Sequence, residues 1–294
     1  MIIKIKILMK SNIRDALENR LSINSYLWPK NIDPFEFIEA VLKAGIKNIG
    51  LHADFIEEYG VNKLKQELNL NKINVTSINS VGYFTDNFYF KQHEKIFNYA
   101  KILKPDVVCV ISGGILGGPN PISSEYNFEN KNLNIEKTRK DSLAKLVYLF
   151  DKAEELNITL GLEPIGSWDI LKKGHFNSIS SCLNLVKKNQ HKLIIDLYHS
   201  FADTKLESFL KNSSKLGLLQ FSNIKFDDNW RPIGRKILNK HNNINNVDIS
   251  KYLKTVLNRK DRINIEFEIF QSDIKETDPK LVIENLKKEI LKLL

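Results

Sequence analysis

Short apolar runs alternate with longer amphipathic segments along the whole chain. Eight runs rich in Val, Ile and Leu have the length of strands, and they predict strands at 21–27, 47–52, 73–79, 106–111, 157–163, 192–197, 216–221 and 262–268. Apolar residues at i, i+3 and i+4 predict helices between them, at 34–44, 61–70, 90–103, 135–156, 178–188, 204–213, 248–258 and 279–293. The pattern therefore predicts eight strand and helix pairs.

Strict alternation of strands and helices favours one α/β domain. The strands are continuously apolar, as expected when both faces of a parallel sheet are covered. We therefore predict a single (β/α)8 TIM barrel over 21–294, preceded by a short N-terminal extension, 1–20. An open, doubly wound sheet is the weaker alternative. Two long connections, 112–134 and 222–247, would roof the C-terminal face, where the chemistry of this fold lies.

Composition narrows the class of protein. With 42% hydrophobic and 27% charged residues, the chain is neither disordered nor fibrous, and its apolar runs are too short to cross a membrane. The N-terminus lacks the features of a secretory signal, and two cysteines indicate no disulfide framework, so we expect a cytoplasmic protein. The net charge of +9 suggests nucleic acid, but lysines alternate with glutamates on helix faces. A solvated surface without a nucleic-acid partner is the favoured interpretation.

Polar side chains end four consecutive predicted strands. Glu163, Asp196, Gln220 and Glu268 follow the apolar runs of strands five to eight, which are neighbours in a barrel. A carboxylate beside such a run is costly unless it is paired, hydrogen-bonded or bound to a cation. Each alone could be a cap or an ion-pair partner, but together they predict a site for Mn²⁺, Mg²⁺, Co²⁺ or Zn²⁺, with Mn²⁺ preferred.

Three further positions bear on this site. Glu266 lies two residues before Glu268 and shares its face, so it competes as a ligand, but a deeper glutamate is better suited to pairing with a basic group or to supporting the site. His199 follows Asp196 by three residues, where the chain turns over the barrel mouth, and it is either a catalytic helper or an ordinary loop histidine. His52 ends the second strand and could face the pocket, whereas His93, His191 and His241 are expected at the surface.

From about residue 21 onward the chain resembles the sugar phosphate isomerase/epimerase group of the xylose isomerase-like TIM barrels. The resemblance is carried by "GLEPIG", "IIDLYHSFAD", "LLQFSNI" and "IEFEIFQSDI" in this order and spacing. It implies that Glu163, Asp196, Gln220 and Glu268 are metal ligands, and that Glu163 also acts in acid/base chemistry. It places His199 near metal and substrate, and it favours Glu268 over Glu266.

The resemblance also suggests residues that contact substrate. Arg231 or Arg235, in "NWRPIGRK", falls where some members keep a substrate-contacting arginine, and His52 and Trp168 are further candidates. The expected reaction is proton abstraction by Glu163 or Glu268 beside a carbonyl, through an enediolate, with His199 stabilising the oxyanion. The expected partner is a small carbohydrate or polyol-derived substrate, and the chain could form a homodimer or homotetramer.

Three other activities remain open. A dehydratase of the inosose or 3-dehydroshikimate type would use the same site to expel water. A barrel subunit of a carbon-glycoside cleaving complex also belongs to this group. An AP-endonuclease-like repair enzyme is disfavoured, because such enzymes hold three zinc ions with many histidines, and the six histidines here are scattered.

Overall fold

Eight parallel strands close into one barrel, as predicted. The computed structural model describes residues 13–116, 134–238 and 247–294. The barrel strands are β1 (Leu21–Asn24), β2 (Asn48–His52), β3 (Asn74–Gly82), β4 (Val107–Ile111), β5 (Leu160–Leu162), β6 (Lys192–Asp196), β7 (Leu216–Phe221) and β10 (Asn264–Phe267). Consecutive barrel strands are hydrogen-bonded neighbours, and β10 pairs with β1 to close the ring. The (β/α)8 prediction is confirmed.

Helices surround the barrel. They are α1 (Pro34–Lys43), α2 (Ala53–Tyr59), α3 (Val61–Leu70), α4 (Asn87–Lys91), α5 (His93–Leu103), α6 (Ile135–Glu155), α7 (Ile179–Val186), α8 (Leu197–Ser200), α9 (Leu206–Asn212), α10 (Ile249–Leu257) and α11 (Pro279–Leu293). Short 3-10 turns occupy Ser25–Leu27, Ser167–Asp169 and Gln271–Asp273. Within the described parts of the chain, no helix is both long and apolar enough to span a bilayer.

The helix predictions differ from the structure in four places, because residues 13–20, α2 and α8 form helices that were not predicted and one predicted helix is divided. The predicted helix 90–103 is divided into α4 and α5 at Gln92. Helix α2 was missed because it is a short segment that directly follows β2 and ends after two turns. Gly60 separates α2 from α3 with a φ of 83°, a left-handed conformation that glycine adopts without steric cost.

A hairpin replaces the predicted irregular loop after β7. Strands β8 (Asn223–Phe226) and β9 (Pro232–Lys236) pair antiparallel outside the barrel. Asp227 stabilises the turn, because its Oδ1 accepts the backbone N–H groups of Asn229 at 2.9 Å and Arg231 at 2.8 Å. The polar turn sequence and Pro232 hid the hairpin from pattern analysis, and residues 239–246 of the same predicted loop lie outside the described residues. So do residues 117–133 of the other long loop.

Residues 13–20 form a helix that packs on the barrel. Leu17 is fully buried there. The guanidinium of Arg20 donates to the carbonyl oxygens of Val256 at 3.3 Å and Arg259 at 3.3 Å, at the C-terminal end of α10. A cation at this end of a helix satisfies unpaired carbonyls and interacts favourably with the helix dipole. The division into an extension, 1–20, and a barrel, 21–294, stays a prediction.

The barrel interior contains an apolar cluster and a polar network. Val107, Cys109, Ile194 and Leu218 form a small apolar cluster of their own, contributed by β4, β6 and β7. The fully buried carboxylate of Glu266 accepts hydrogen bonds from side chains of β1, β3 and β7. Gly50 allows this, because a Cβ at that position would lie 2.4 Å from Glu266 Oε2. The polar network therefore reaches the floor of the C-terminal mouth.

Candidate active site

Three carboxylates meet at the C-terminal mouth of the barrel. Asp196 ends β6, while Glu163 and Glu268 follow β5 and β10 directly. The backbone N–H groups of Glu163 and Glu268 extend the sheet by donating to Val110 O at 3.0 Å and Phe221 O at 3.1 Å. This pairing fixes the direction of both side chains, and all three carboxylates are buried. Glu163 and Glu268 line a cavity of about 490 Å³, which is large enough for a sugar-sized molecule.

Arg235 is the main counter-charge of this cluster. It comes from β9 of the hairpin and is almost fully buried. Its guanidinium donates to Asp196 Oδ2 and to Glu268 Oε1, the latter at 3.1 Å. Although burial lowers the pKa of Arg235, the charges of Asp196 and Glu268 outweigh it and raise that pKa above its ordinary value. One cation from outside the barrel thus bridges two carboxylates.

Gln220 lies beside Asp196, and a hydrogen bond to Glu266 fixes the orientation of its amide group. The two residues are paired in the β6–β7 register, and Gln220 is buried. Gln220 Nε2 donates to Glu266 Oε1 at 3.0 Å. This bond identifies the amide nitrogen as the atom that points into the barrel interior. Gln220 Oε1 is buried and has no hydrogen-bond partner within the described residues. The amide oxygen is therefore left free for another donor or a cation.

His199 offers a proton rather than a lone pair. Its Nδ1 accepts the backbone N–H of Gly166 at 3.3 Å, so a neutral ring carries its proton on Nε2. Burial lowers the pKa of His199 well below its ordinary value, and the positive charges of Lys173 and Arg235 lower it further. His199 lines the cavity together with Glu163 and Glu268. A neutral histidine in this orientation is a hydrogen-bond donor at the site.

The two candidate proton carriers have raised pKa values. Burial, and then the charge of Asp196, raise the pKa of Glu163 to about 7. Burial also raises the pKa of Glu268 well above its ordinary value, even though Arg235 opposes the shift. Glu163 Oε2 accepts a hydrogen bond from the Sγ–H of Cys109 at 3.2 Å. The pKa of Glu163 lies near neutral pH, so this carboxyl group can exist protonated or ionised there.

The other predicted site residues are distributed unevenly. Arg235 and His52 line the cavity, whereas Arg231 is exposed at the hairpin turn and is not part of the lining. Trp168 lies beside the cavity rather than in its lining, with its ring stacked on His199 at 6.5 Å between centroids. Glu266 pairs with no basic group among the described residues, contrary to one of the two roles that the sequence suggested for it.

Two histidines expected at the surface are buried. His191 is fully buried: its Nδ1 accepts Leu160 N–H at 3.2 Å and its Nε2 contacts Phe150 O at 3.3 Å. His93 is 5% exposed and packs against Phe97. His241 lies outside the described residues.

Sequence reasoning missed several residues of the cavity wall. Lys173, Tyr26, Tyr83 and Cys109 line it beside Glu163. Burial raises the pKa of Tyr26 and of Tyr83 above the ordinary tyrosine value, so both hydroxyls stay protonated. The cysteine stands in an apolar strand and the lysine in a lysine-rich loop, so neither gave a signal distinct from ordinary core or surface residues.

The residues at the mouth fit a divalent cation. Ligand atoms of Glu163, Asp196 and His199 all lie within 4.8 Å of one another. Because the free nitrogen of His199 carries a proton, the better donors are the carboxylates of Glu163, Asp196 and Glu268, joined by the unpartnered amide oxygen of Gln220. Carboxylate and amide oxygens suit hard cations such as Mn²⁺ and Mg²⁺. Asp196 and Glu268 would then share their charge between the cation and Arg235.

Solved structures with the same architecture include several enzymes. A protein of Sinorhizobium meliloti 1021 superposes with a TM-score of 0.77 at 17% identity, covering 92% of this chain and 97% of that one. The IolI protein, solved with a bound zinc atom, has a TM-score of 0.69 at 15% identity, with 93% and 97% coverage. D-psicose 3-epimerase from Clostridium cellulolyticum H10, solved with D-tagatose, has a TM-score of 0.62 at 16% identity, with 93% and 96% coverage.

At these identities the similarity shows the fold. No curated protein matches the chain significantly in sequence. The model of one family, described as xylose isomerase-like TIM barrel, matches residues 35–289 and so covers most of the chain. The chain therefore belongs to the xylose isomerase-like TIM barrel family.

Proposed function

We propose that the protein is a divalent-metal-dependent isomerase or epimerase of sugars or related keto-polyols. The observation that carries the proposal is the pair Glu163 and Glu268, two buried carboxyl groups with raised pKa values that line one sugar-sized cavity. The reaction is proton abstraction from the carbon next to a carbonyl, through an enediolate, followed by return of a proton to another face or atom.

The two glutamates divide the proton transfers between them. A general base works best when its pKa lies near the operating pH, and in the metal-free protein the pKa of Glu163 is about 7. Glu163 and Glu268 stand on strands that are not adjacent in the barrel, so they approach a substrate from different directions. One removes the proton while the other, in its protonated form, returns one. Return to the opposite face of the same carbon gives epimerisation, and return to the neighbouring carbon gives isomerisation.

His199 and Arg235 support the charge changes. The Nε2–H of His199 stabilises a substrate oxygen on which negative charge develops. Arg235 holds Glu268 in position by its hydrogen bond at 3.1 Å, and the aromatic rings of Tyr198 and Phe270 hold Arg235, with centroids 4.6 Å and 4.7 Å from its Cζ. His52 lines the same cavity, Trp168 contributes by stacking on His199, and Arg231 takes no part.

Glu163, Asp196, Gln220 and Glu268 would hold the metal, with Mn²⁺ preferred. When bound, the cation polarises the substrate carbonyl and acidifies the neighbouring C–H. Support comes from the oxygen donors, from the unpartnered Gln220 Oε1, and from the zinc atom in the structure of IolI. The similar structures named as epimerases act on small sugars, which supports a ketose as the substrate class.

Solvent deuterium uptake tests the proposal. Purified protein is incubated in D₂O with Mn²⁺ and a panel of ketoses and inososes, and exchange at the carbon beside the carbonyl is followed by NMR. We expect exchange that EDTA abolishes and that Glu163→Gln and Glu268→Gln each reduce at least 100-fold. Glu94→Gln is the matched control, because Glu94 is exposed on α5. Absence of exchange with every compound contradicts the proposal, and loss of water from the substrate identifies a dehydratase instead.

A further inference from the structure

Lys173 places a positive charge in the cavity that the proposed proton transfers do not use. It lies in the turn that follows the 3-10 segment Ser167–Asp169, and its backbone N–H donates to Asp169 O at 2.8 Å. The next residue, Gly174, forms a bridge with Gly113 that ties this turn to the loop after β4. The backbone around Lys173 is therefore held on both sides, and its side chain enters the cavity from a fixed point.

Of the residues that the structure describes, three cationic side chains line this cavity, and they differ in their partners. Lys30 donates to Asp54 Oδ2 at 2.5 Å, and Arg235 donates to Asp196 and Glu268. Lys173 makes neither a side-chain hydrogen bond nor an ion pair with any of the residues in 13–116, 134–238 and 247–294. Within the part of the chain that the structure describes, acidic side chains pair with Lys30 and Arg235 but not with Lys173.

Aromatic rings stabilise the positive charge of Lys173 only in part. Its Nζ lies 5.3 Å from the ring centroid of Phe270 and 5.8 Å from that of Tyr198. These are the same two rings that Arg235 contacts, so two like charges share one aromatic support. Burial and the charge of Arg235 lower the pKa of Lys173, which agrees with an ammonium group that lacks a close anion. Asp169 is the nearest acidic residue along the turn, but its carboxylate is not within ion-pair distance.

Lys173 is half-buried, and an ammonium group that is partly withdrawn from water gains more from a nearby anion than a fully exposed one does. Among the described residues, the protein supplies that anion to Lys30 and to Arg235 but not to Lys173, which lines the same cavity. A substrate group with a full negative charge would form a charge-assisted hydrogen bond with Nζ, stronger than the bond of a neutral hydroxyl. The missing counter-charge is thus expected on the substrate.

We propose that Lys173 anchors an anionic group of the substrate, so that the cavity selects a ketose bearing a carboxylate or a phosphate over a neutral ketose. This inference rests on the proposed function. Carboxylate and phosphate share the chemistry that Lys173 recognises, and the experiment separates them. Lys173 is in this sense a specificity determinant, distinct from the proton carriers Glu163 and Glu268.

The test compares three substrates that share one ketose skeleton: the neutral ketose, its uronate and its phosphate ester. Deuterium exchange is measured for wild type, Lys173→Met, Lys173→Arg and Lys172→Met. In wild type we expect kcat/KM for one anionic form to exceed that for the neutral form at least tenfold. Lys173→Met should remove this preference and leave the neutral substrate within about twofold, and Lys173→Arg should retain most of it. The anionic form that wild type prefers identifies the group.

Lys172 provides the matched control, because it is the exposed lysine next to Lys173 and does not line the cavity. Lys172→Met should therefore behave as wild type. The proposal is overturned if wild type uses the neutral ketose as well as both anionic forms. It is also overturned if Lys173→Met lowers the rate equally for all three substrates, because that result indicates a structural role.

Binding measured without turnover separates this inference from the proposed function. Inorganic phosphate and a hexuronate are titrated into wild type and Lys173→Met by calorimetry. If no compound exchanges deuterium but binding of either anion is at least tenfold weaker in Lys173→Met, the anchor stands and the proposed reaction fails. If exchange occurs and neither binding nor substrate preference depends on Lys173, the reaction stands and the anchor fails.

Discussion

Gln220 donates through Nε2 to the buried carboxylate of Glu266, and this single bond decides which end of the amide faces away from the network. Glu266 therefore supports the site from the barrel interior and is not itself one of the site residues. Its two oxygens collect hydrogen bonds from five side chains, those of Ser22, Asn24, Thr76, Ser77 and Gln220. A carboxylate with this many donors is stable in the barrel interior without a basic partner.

Replacing this carboxylate by an amide should destabilise the protein. In Glu266→Gln, an NH₂ group faces donors that previously met an acceptor, so we expect a loss of about 2 kcal/mol in the free energy of unfolding. We also expect Mn²⁺ to bind at least tenfold more weakly, because Gln220 is no longer fixed. Urea denaturation and calorimetric Mn²⁺ titration measure the two effects. Glu94→Gln, on an exposed part of α5, should change neither.

Removing Arg235 should show how strongly the carboxylates at the barrel mouth depend on a nearby positive charge. Arg235→Met leaves Asp196 and Glu268 buried without their bridging cation, and we expect about 3 kcal/mol of destabilisation in EDTA. Saturating Mn²⁺ should then raise the Tm of the variant more than that of wild type, since the metal replaces a lost counter-charge. Arg231→Met, on the exposed turn of the same hairpin, is the control. Equal Mn²⁺ shifts in all three proteins would argue against a shared cation position.

The raised pKa of Glu163 predicts a pH dependence of the metal-free protein. Folding raises this pKa from its ordinary value of 4.5 to about 7, so the native state holds a proton that the unfolded chain releases. That contribution is complete below pH 4.5 and is lost as the pH rises through 7. In EDTA, the stability of wild type relative to Glu163→Gln should fall by about 3 kcal/mol between pH 4.5 and 8. A difference that does not vary with pH would show that Glu163 titrates normally.

Buried neutral histidines should act in the opposite direction. His191 accepts a backbone hydrogen bond at Nδ1, and burial lowers its pKa from 6.5. Its contribution to stability is therefore complete above pH 6.5 and is lost as the pH falls through its lowered native pKa. We expect His191→Gln to be less stable than wild type at pH 8 and to lose less stability on acidification. Urea denaturation at pH 8, 6.5 and 5.5 measures both. An acid limb of unchanged slope would contradict the assignment.

Much of the fold followed from the sequence because the barrel strands are unbroken apolar runs. Each such run, for example 192–197, must be covered on both faces, and that requirement leaves few architectures. The positions of Glu163, Asp196 and Glu268 were predictable for a related reason, since a carboxylate that ends a buried strand lies at the barrel mouth. Their roles as ligands and proton carriers stay proposals.

The features that the sequence did not predict are those in which a loop sets the direction of a side chain. Lys172 and Lys173 are identical neighbours in the sequence, yet one is exposed and the other lines the cavity. His191 lies in a polar stretch, but it is buried because Leu160 N–H needs an acceptor at that point. Arg235 and Arg231 could not be separated until the hairpin was known. No local periodicity encodes these directions, which are set by contacts between distant segments.

The hairpin formed by β8 and β9 makes the site modular. Its strands take no part in barrel closure, yet it contributes the arginine that bridges Asp196 and Glu268. Barrel closure and the counter-charge of the site thereby come from different stretches of chain. Exchanging the hairpin for one of different sequence would alter the charge balance of the barrel mouth while the eight-stranded ring stays intact. This hairpin is therefore the segment to graft or randomise when the specificity of the barrel is to be redesigned.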